Sequence, residues 1–239
     1  MLYVASGTGG VAGTLYTVDP ATGAVLTTVG PLHDILGNFY GLTGLKYDST
    51  LHILYGATSG QSPTNPAWLV IVDPATALVT PIGAFLNDLS LTDIAIDPTT
   101  HIMYSISGFD QHFFTIIVAT GEAVIAGSTG IGFANGGGFA ADMTGKLFGF
   151  SNFSFYSFNK TTGAATLIGP TMLLNLVKAA DFSPSNVLYA LEGGGGPDQT
   201  TLRWLDTCNV NTGNCIRVGQ ILVGSTAVKN LDALAFVPQ

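Results

Sequence analysis

The stretch Leu15-Tyr-Thr-Val-Asp19-Pro-Ala-Thr-Gly23 reads as an apolar strand, an Asp-Pro turn and a Thr-Gly step, followed by a second strand that ends at Gly30. The same order returns as Leu69-Val-Ile-Val-Asp73-Pro-Ala-Thr-Ala77 running to Gly83. A weaker copy is Phe114-Thr-Ile-Ile-Val-Ala-Thr-Gly121, running to Gly127. Two more are Tyr156-Ser-Phe-Asn159-Lys-Thr-Thr-Gly163 to Gly169, and Leu202-Arg-Trp-Leu-Asp206 through Thr212-Gly213 to Gly219. The turns fall at positions 23, 77, 121, 163 and 213, roughly every 40 to 55 residues, the period of a propeller blade.

A second hairpin alternates with the first. Its copies are Gly44-Leu-Lys-Tyr-Asp48, Asp93-Ile-Ala-Ile-Asp97, Gly138-Phe-Ala-Ala-Asp142 and Ala179-Ala-Asp-Phe-Ser183, each followed by an aromatic strand such as Leu54-Tyr55. The fifth copy is split: Ala233-Leu-Ala-Phe-Val237 ends the chain and Leu2-Tyr3 begins it. Each unit therefore supplies four short strands with period-2 alternation. One such sheet cannot bury both faces, and a ring of them must be fastened where it closes. The split supplies that fastening. The reading is all-β: a single five-bladed β-propeller over 1–239, with four-stranded antiparallel blades and the C-terminal strand pairing with the N-terminal one. The N-terminal blade spans 1–30 and is completed by 231–239. The others are placed at about 39–83, 90–127, 135–169 and 176–219.

Leu2-Tyr-Val-Ala-Ser6, with Val18-Asp-Pro-Ala-Thr-Gly23 and Thr28-Val-Gly30, resembles the Tyr-Val-Thr-Asn-type propeller repeats of secreted and surface-layer proteins. The pattern covers the chain in degenerate form, with Ile117 standing where other copies have Asp or Asn. The resemblance implies an architecture and a common location and carries no catalytic residues.

Composition narrows the function. The 239 residues hold only 7 Lys or Arg and 15 Asp or Glu, with 47% hydrophobic residues and 31 glycines. A net charge of −8 argues against nucleic acid or an anionic membrane as partner, because both need basic patches. No membrane insertion is expected, since no uncharged run approaches the roughly 20 apolar residues of a span. The chain starts directly in a strand, so no signal peptide is expected within it. Cys208 and Cys215 flank a turn-rich Asn-Val-Asn-Thr-Gly-Asn. A disulfide across that hairpin is the preferred reading and implies an oxidising, extracellular compartment. The rival, a metal pair, has too few thiols and imidazoles nearby to make a zinc site.

Most polar positions read as architecture. Asp19, Asp73, Asn159 and Asp206 cap one turn, and Asp48, Asp97 and Asp142 cap the other. Function is expected on the face of longer, irregular loops, where Thr43, Thr92, Gly137, Lys178 and Asp232 ring the axis. Candidate catalytic residues are Asp93, Asp232 and His33, with Asp34 and Asp88 as further carboxylates. Candidate ligand-binding residues are Tyr40, Phe109, Asp110, His112 and Lys178, an aromatic and polar set suited to sugars. No metal or cofactor is expected. The charge deficit points furthest: a surface this poor in charge suits packed subunits. The sequence thus favours an extracellular, non-catalytic structural or adhesive module, a homo-oligomer or polymer, with cell-surface glycans or proteins as other partners. The competing reading is a carbohydrate-binding module or carbohydrate-active hydrolase or lyase.

Overall fold

The computed structural model describes residues 1–7, 10–86, 91–133, 137–194 and 202–238. The first blade is begun by β1 (Leu2–Ser6), β2 (Thr14–Val18) and β3 (Val25–Pro31). The second holds β4 (Leu42–Asp48), β5 (Ile53–Thr58), β6 (Trp68–Val72) and β7 (Val79–Ala84). The third holds β8 (Leu91–Ile96), β9 (Met103–Ser107), β10 (His112–Ile116) and β11 (Ala123–Ser128). In the fourth are β12 (Phe139–Ala141), β13 (Leu147–Ser151), β14 (Ser154–Phe158) and β15 (Ala165–Pro170). The fifth has β16 (Val177–Phe182), β17 (Leu188–Glu192), β18 (Trp204–Cys208) and β19 (Cys215–Gln220). A short hairpin, β20 (Leu222–Val223) with β21 (Thr226–Ala227), leads to β22 (Leu231–Phe236).

Every four-stranded sheet is an antiparallel meander, and β22 pairs beside β1 to give the order β22-β1-β2-β3. Leu2 faces Phe236 and Val4 faces Leu234 across that join. The innermost strands touch in a closed circle, β22 to β4, β8, β12, β16 and back to β22. The protein is a five-bladed β-propeller closed by its own C-terminus. Apolar side chains fill the spaces between blades; Leu42, Val70 and Ala233 share one cluster, and Phe148, Phe155 and Ala190 another.

The repeat motif has a physical explanation at these junctions. In all five copies the residue at the Thr-Gly step donates its N–H four residues back, from Gly23 to Asp19 O, Ala77 to Asp73 O, Gly121 to Ile117 O, Gly163 to Asn159 O and Gly213 to Asn209 O. Each of these residues has a φ between 60° and 82°, a left-handed conformation that glycine adopts without strain. The weak third copy forms the same turn because Ile117 uses its backbone carbonyl. In the fifth copy the cap is Asn209, whose Oδ1 accepts from Asn211 N at 2.9 Å. Asp206 does not serve there. It lies inside β18, three residues earlier, and is fully buried.

These turns also join neighbouring blades. The glycine ending each outer strand lies directly under the turn of the following blade, so a Cβ on Gly83, Gly127, Gly169 or Gly219 would overlap the carbonyl oxygen of Thr120, Thr162, Thr212 or Thr22. The first-to-second junction differs: Ala77 replaces glycine, and His33 instead forms a parallel bridge with Leu78. Cys208 and Cys215 are disulfide-bonded across the β18–β19 hairpin, with Cα atoms 4.0 Å apart. Among the described residues, no helix is long and apolar enough to cross a membrane.

Candidate functional site

The narrow axis of a five-bladed ring leaves room for few side chains, and the inner strands show how it is shared. At one register position they carry Gly44, Asp93, Gly138, Ala179 and Ala233; two residues on, they carry Lys46, Ala95, Ala140, Asp181 and Ala235. Small residues thus make way for three charged ones. A Cβ on Gly44 would already sit 3.0 Å from Asp93 Oδ1.

Lys46 and Asp93 form an ion pair at 3.3 Å, both almost wholly inaccessible. The Lys46 ammonium also donates to Leu45 O at 2.9 Å and to Leu234 O at 3.2 Å. Asp93 accepts from the backbone N–H groups of Ile94 at 2.9 Å, Phe139 at 3.0 Å and Ala180 at 3.3 Å. Those partners lie on β4, β22, β8, β12 and β16, so one buried pair links the inner strand of every blade. Charge-assisted bonds of this kind are stronger than neutral ones. The arrangement seals the axis. Asp93 is fully buried, with both carboxylate oxygens engaged by these partners.

At the irregular-loop mouth, four inner strands carry a β-bulge, at Thr43, between Leu91 and Ile94, at Lys178 and at Asp232. Bulges of this kind turn a side chain out of the pleat. Asp232 is paired with Arg203 at 3.0 Å, and Arg203 Nε donates to Leu231 O at 2.6 Å. Lys178 lies close enough to both charges to feel them, and burial lowers its pKa. The mouth thus holds an ion pair with Lys178 beside it, and Arg203 is a member that the sequence did not single out.

The remaining candidates are scattered. Tyr40 is buried, its hydroxyl donating to Asp34 Oδ2 at 3.0 Å. Asp34 in turn accepts from Leu36 N and Asn38 N, both at 2.9 Å. Both residues hold the 32–40 loop in shape, and the Tyr40 ring is not available for stacking on a sugar. His33 Nδ1 lies 2.8 Å from Pro31 O. Phe109 is 74% exposed and Asp110 is exposed beside it, on a loop whose N–H groups are held by Ser107 Oγ. His112 packs edge-on against Phe114. Asp88, Asn135 and the loop from Gly195 to Gln199 lie outside the described residues. Among the described residues, no group of three or more His, Cys, Asp or Glu could hold a metal ion.

The opposite mouth, where the inner strands end, holds a pocket of about 270 Å³. Lys46 and Asp181 lie on its floor and Tyr47, Ile96, Phe182 and Phe236 line it. Asp181 Oδ2 accepts from Phe236 N at 2.8 Å. Burial pushes its carboxyl up to about 6, against the pull of Lys46.

A further buried cluster lies between the fourth and fifth blades. Glu192 accepts from Asn175 N at 2.9 Å and pairs with the Arg217 guanidinium, which covers the Trp204 ring. Asp206, fully buried next to Glu192, is pushed up to about 7 by burial and by that like charge. Burial likewise lifts Asp93 to about 7, with Lys46 and the three N–H groups pulling the other way. For Asp93, Asp181 and Asp206 the folded protein binds protons that the unfolded chain, with carboxyls near 4, has already lost. Stability from these groups is present at low pH and falls as pH rises through about 4 to 7. Asp97, held down to about 2 where Lys160, the nearby threonine hydroxyls and the Thr99 N–H outweigh burial, acts oppositely and loses its contribution only as pH drops below about 4. The melting temperature is therefore expected to be higher at pH 5 than at pH 8; a rise across that interval would contradict the assignment.

No family model matches this sequence, and no curated protein does. Solved structures do resemble the fold. A chain of the nidogen/laminin complex superposes with a TM-score of 0.64 at 11% identity, covering 99% of this chain and 98% of that one. A protein of unknown function from Bacteroides thetaiotaomicron gives 0.61 at 13% identity over 98% of this chain. An auxiliary nutrient binding protein from the same organism gives 0.55 at 12% over 96%. This chain spans 64% and 54% of the length of those two Bacteroides chains. At such identities the likeness establishes the propeller fold and does not single out one repeat type.

Proposed function

We propose that this propeller is a non-catalytic extracellular structural or adhesive module that associates with further copies of itself through its rim. The observation that carries this is the chemistry of the outermost strands. β3, β7, β11 and β15 contain no charged residue, and β19 contains one, Arg217. Leu26, Ile125, Leu167 and Ile216 on these strands are each more than half exposed. Each outer strand is a sheet edge, and edges normally carry lysine, other charges or proline against pairing with another chain. Prolines stand in three of them, Pro81 inside β7 and Pro31 and Pro170 at the ends of β3 and β15. Each outer strand also pairs through a bulge, but no charge accompanies the exposed apolar side chains of β3, β11 and β15. A second copy offers the same uncharged edges, so contact between copies buries apolar groups without stranding charge.

The disulfide fits an oxidising compartment. Two of the fold neighbours are a chain of the nidogen/laminin complex and a nutrient binding protein, roles compatible with binding rather than chemistry. The inaccessible Lys46–Asp93 pair on the axis and the Arg203–Asp232 pair at the mouth favour the same side. Light scattering with negative-stain imaging tests the reading. Species well above the 24.7 kDa of one chain, dispersed by Leu167→Lys with Ile216→Lys, are expected. A clean monomer at high concentration would overturn it.

A further inference from the structure

The pocket at the tight-turn mouth is built by all five inner strands: Lys46 and Tyr47 come from β4, Ile96 from β8, Ala141 from β12, Asp181 and Phe182 from β16, and Phe236 from β22. Read from sequence, this face holds only turn-capping residues. Its inner walls come from paired strands, which position side chains more precisely than loops do, with turn residues such as Pro98, Met143 and Pro184 at the rim. At about 270 Å³ it lies just under the size that takes drug-like ligands, and its walls are mainly apolar and aromatic.

The charges select the ligand. Of the ionisable groups lining the pocket, Asp142 and Asp181 are acidic and Lys46 is basic. The three hydrogens of Lys46 are directed to Leu45 O, Leu234 O and Asp93. An anion entering the pocket would find that ammonium already engaged and two carboxylates opposing it. Asp142 is likewise committed at the rim, accepting from Thr144 N and Lys146 N, both at 2.9 Å. Asp181 is different. It lies inside the cavity on β16 rather than at the rim, is only partly buried, and accepts from the backbone N–H groups of Phe236, at 2.8 Å, and Phe182.

We propose that this axial pocket binds a small organic ammonium ion, its charged head on the Asp181 carboxylate and its apolar body against Tyr47, Phe182 and Phe236. Aromatic walls around a carboxylate suit such an ion, since ring faces attract cations and the body removes apolar surface from water. The upward shift of the Asp181 carboxyl is consistent: burial disfavours this charge, and a bound cation would relieve it. The same ammonium could arrive as a free amine or as a lysine side chain of another protein.

The test is a thermal-shift titration of the intact protein at pH 7.5 with cyclohexylamine hydrochloride, cyclohexanol and N-acetyl-lysine methylamide at matched ionic strength. Ligand that binds only the folded state raises the melting temperature. Cyclohexylamine is expected to raise it and cyclohexanol to leave it unchanged. Asp181→Asn, which keeps an oxygen for Phe236 N, should weaken amine binding by about tenfold or more. Met143→Trp, at the exposed rim, should block entry without touching the floor, and serves if Asp181→Asn does not fold. Equal responses to amine and alcohol, no response to either amine, or full amine binding by Met143→Trp would each overturn the proposal. A response to the lysine derivative matching that to cyclohexylamine assigns the site to a protein-borne lysine; a response to cyclohexylamine alone assigns it to a free amine.

Discussion

Replacing Lys46 by methionine is expected to lower the melting temperature at pH 8 by about 6–20 °C, from a loss of ~3–5 kcal/mol when one partner of a buried ion pair is removed. Methionine fills similar space, so the cost is electrostatic. Asp93 would be left inaccessible, with three backbone N–H groups but no cation, and Leu234 O would lose its donor. The penalty should shrink at pH 5, because Asp93 can escape it by taking a proton, and burial already pushes its carboxyl upward. Replacing both charges by apolar residues often rescues a buried pair. Here it should not, since Asp93 is also the acceptor for N–H groups on three strands, and Lys46→Met with Asp93→Leu would orphan them. Denaturant and thermal melts at both pH values check this. Equal losses at pH 5 and pH 8, or a double variant as stable as the parent, would show that the pair does not hold the inner strands together as described.

What the sequence disclosed and what it hid follow from the same physics. A propeller repeats its backbone requirements once per blade, so the residues that meet them recur and can be counted. The Thr-Gly step, the closing glycine and the Asp cap are of this kind, and the split fifth unit announces the ring closure. Single-copy features have no such echo. Lys46 and Asp181 look like lone charges in separate strands until they are set in register with Ala95, Ala140 and Ala235, where the axis becomes their common location. Asp93 invited a catalytic reading as a carboxylate beside the axial Thr92, and only the register of the inner strands shows it buried against Lys46. Tyr40 looked like a loop aromatic, and only the carboxylate of Asp34 accepting its hydroxyl shows it turned inward. Asp206 was misplaced for a different reason: the fifth turn contains extra residues, and the backbone bond from Gly213 N to Asn209 O, which sets the frame, cannot be seen in a string of letters.

Gly127→Ala is expected to destabilise the protein at or above the upper end of the ~1–3 kcal/mol usual for overpacking. The added methyl would overlap the carbonyl oxygen of Thr162 in the neighbouring blade. Overpacking is tolerated when a flexible side chain can move aside; here the obstacle is backbone, fixed by the turn from Gly163 N to Asn159 O at 2.8 Å. Ser128 N also donates to Thr162 O at 3.1 Å, so pushing the turn away breaks an inter-blade bond as well. Gly132→Ala is the control, since a Cβ there meets nothing within 4 Å. Gly30→Ala separates two causes: it too has open space, but its φ of 152° disfavours any side chain, so its cost reports conformation alone. Equilibrium unfolding of the three variants should rank Gly127→Ala as the most damaging and Gly132→Ala as nearly neutral. If Gly30→Ala proved as costly as Gly127→Ala, the closing glycine would be kept for its backbone angles. If Gly127→Ala stands well below it, blade-to-blade contact is the reason glycine recurs at 83, 127, 169 and 219, and the spacing between those adjacent sheets is set by the absence of a methyl group.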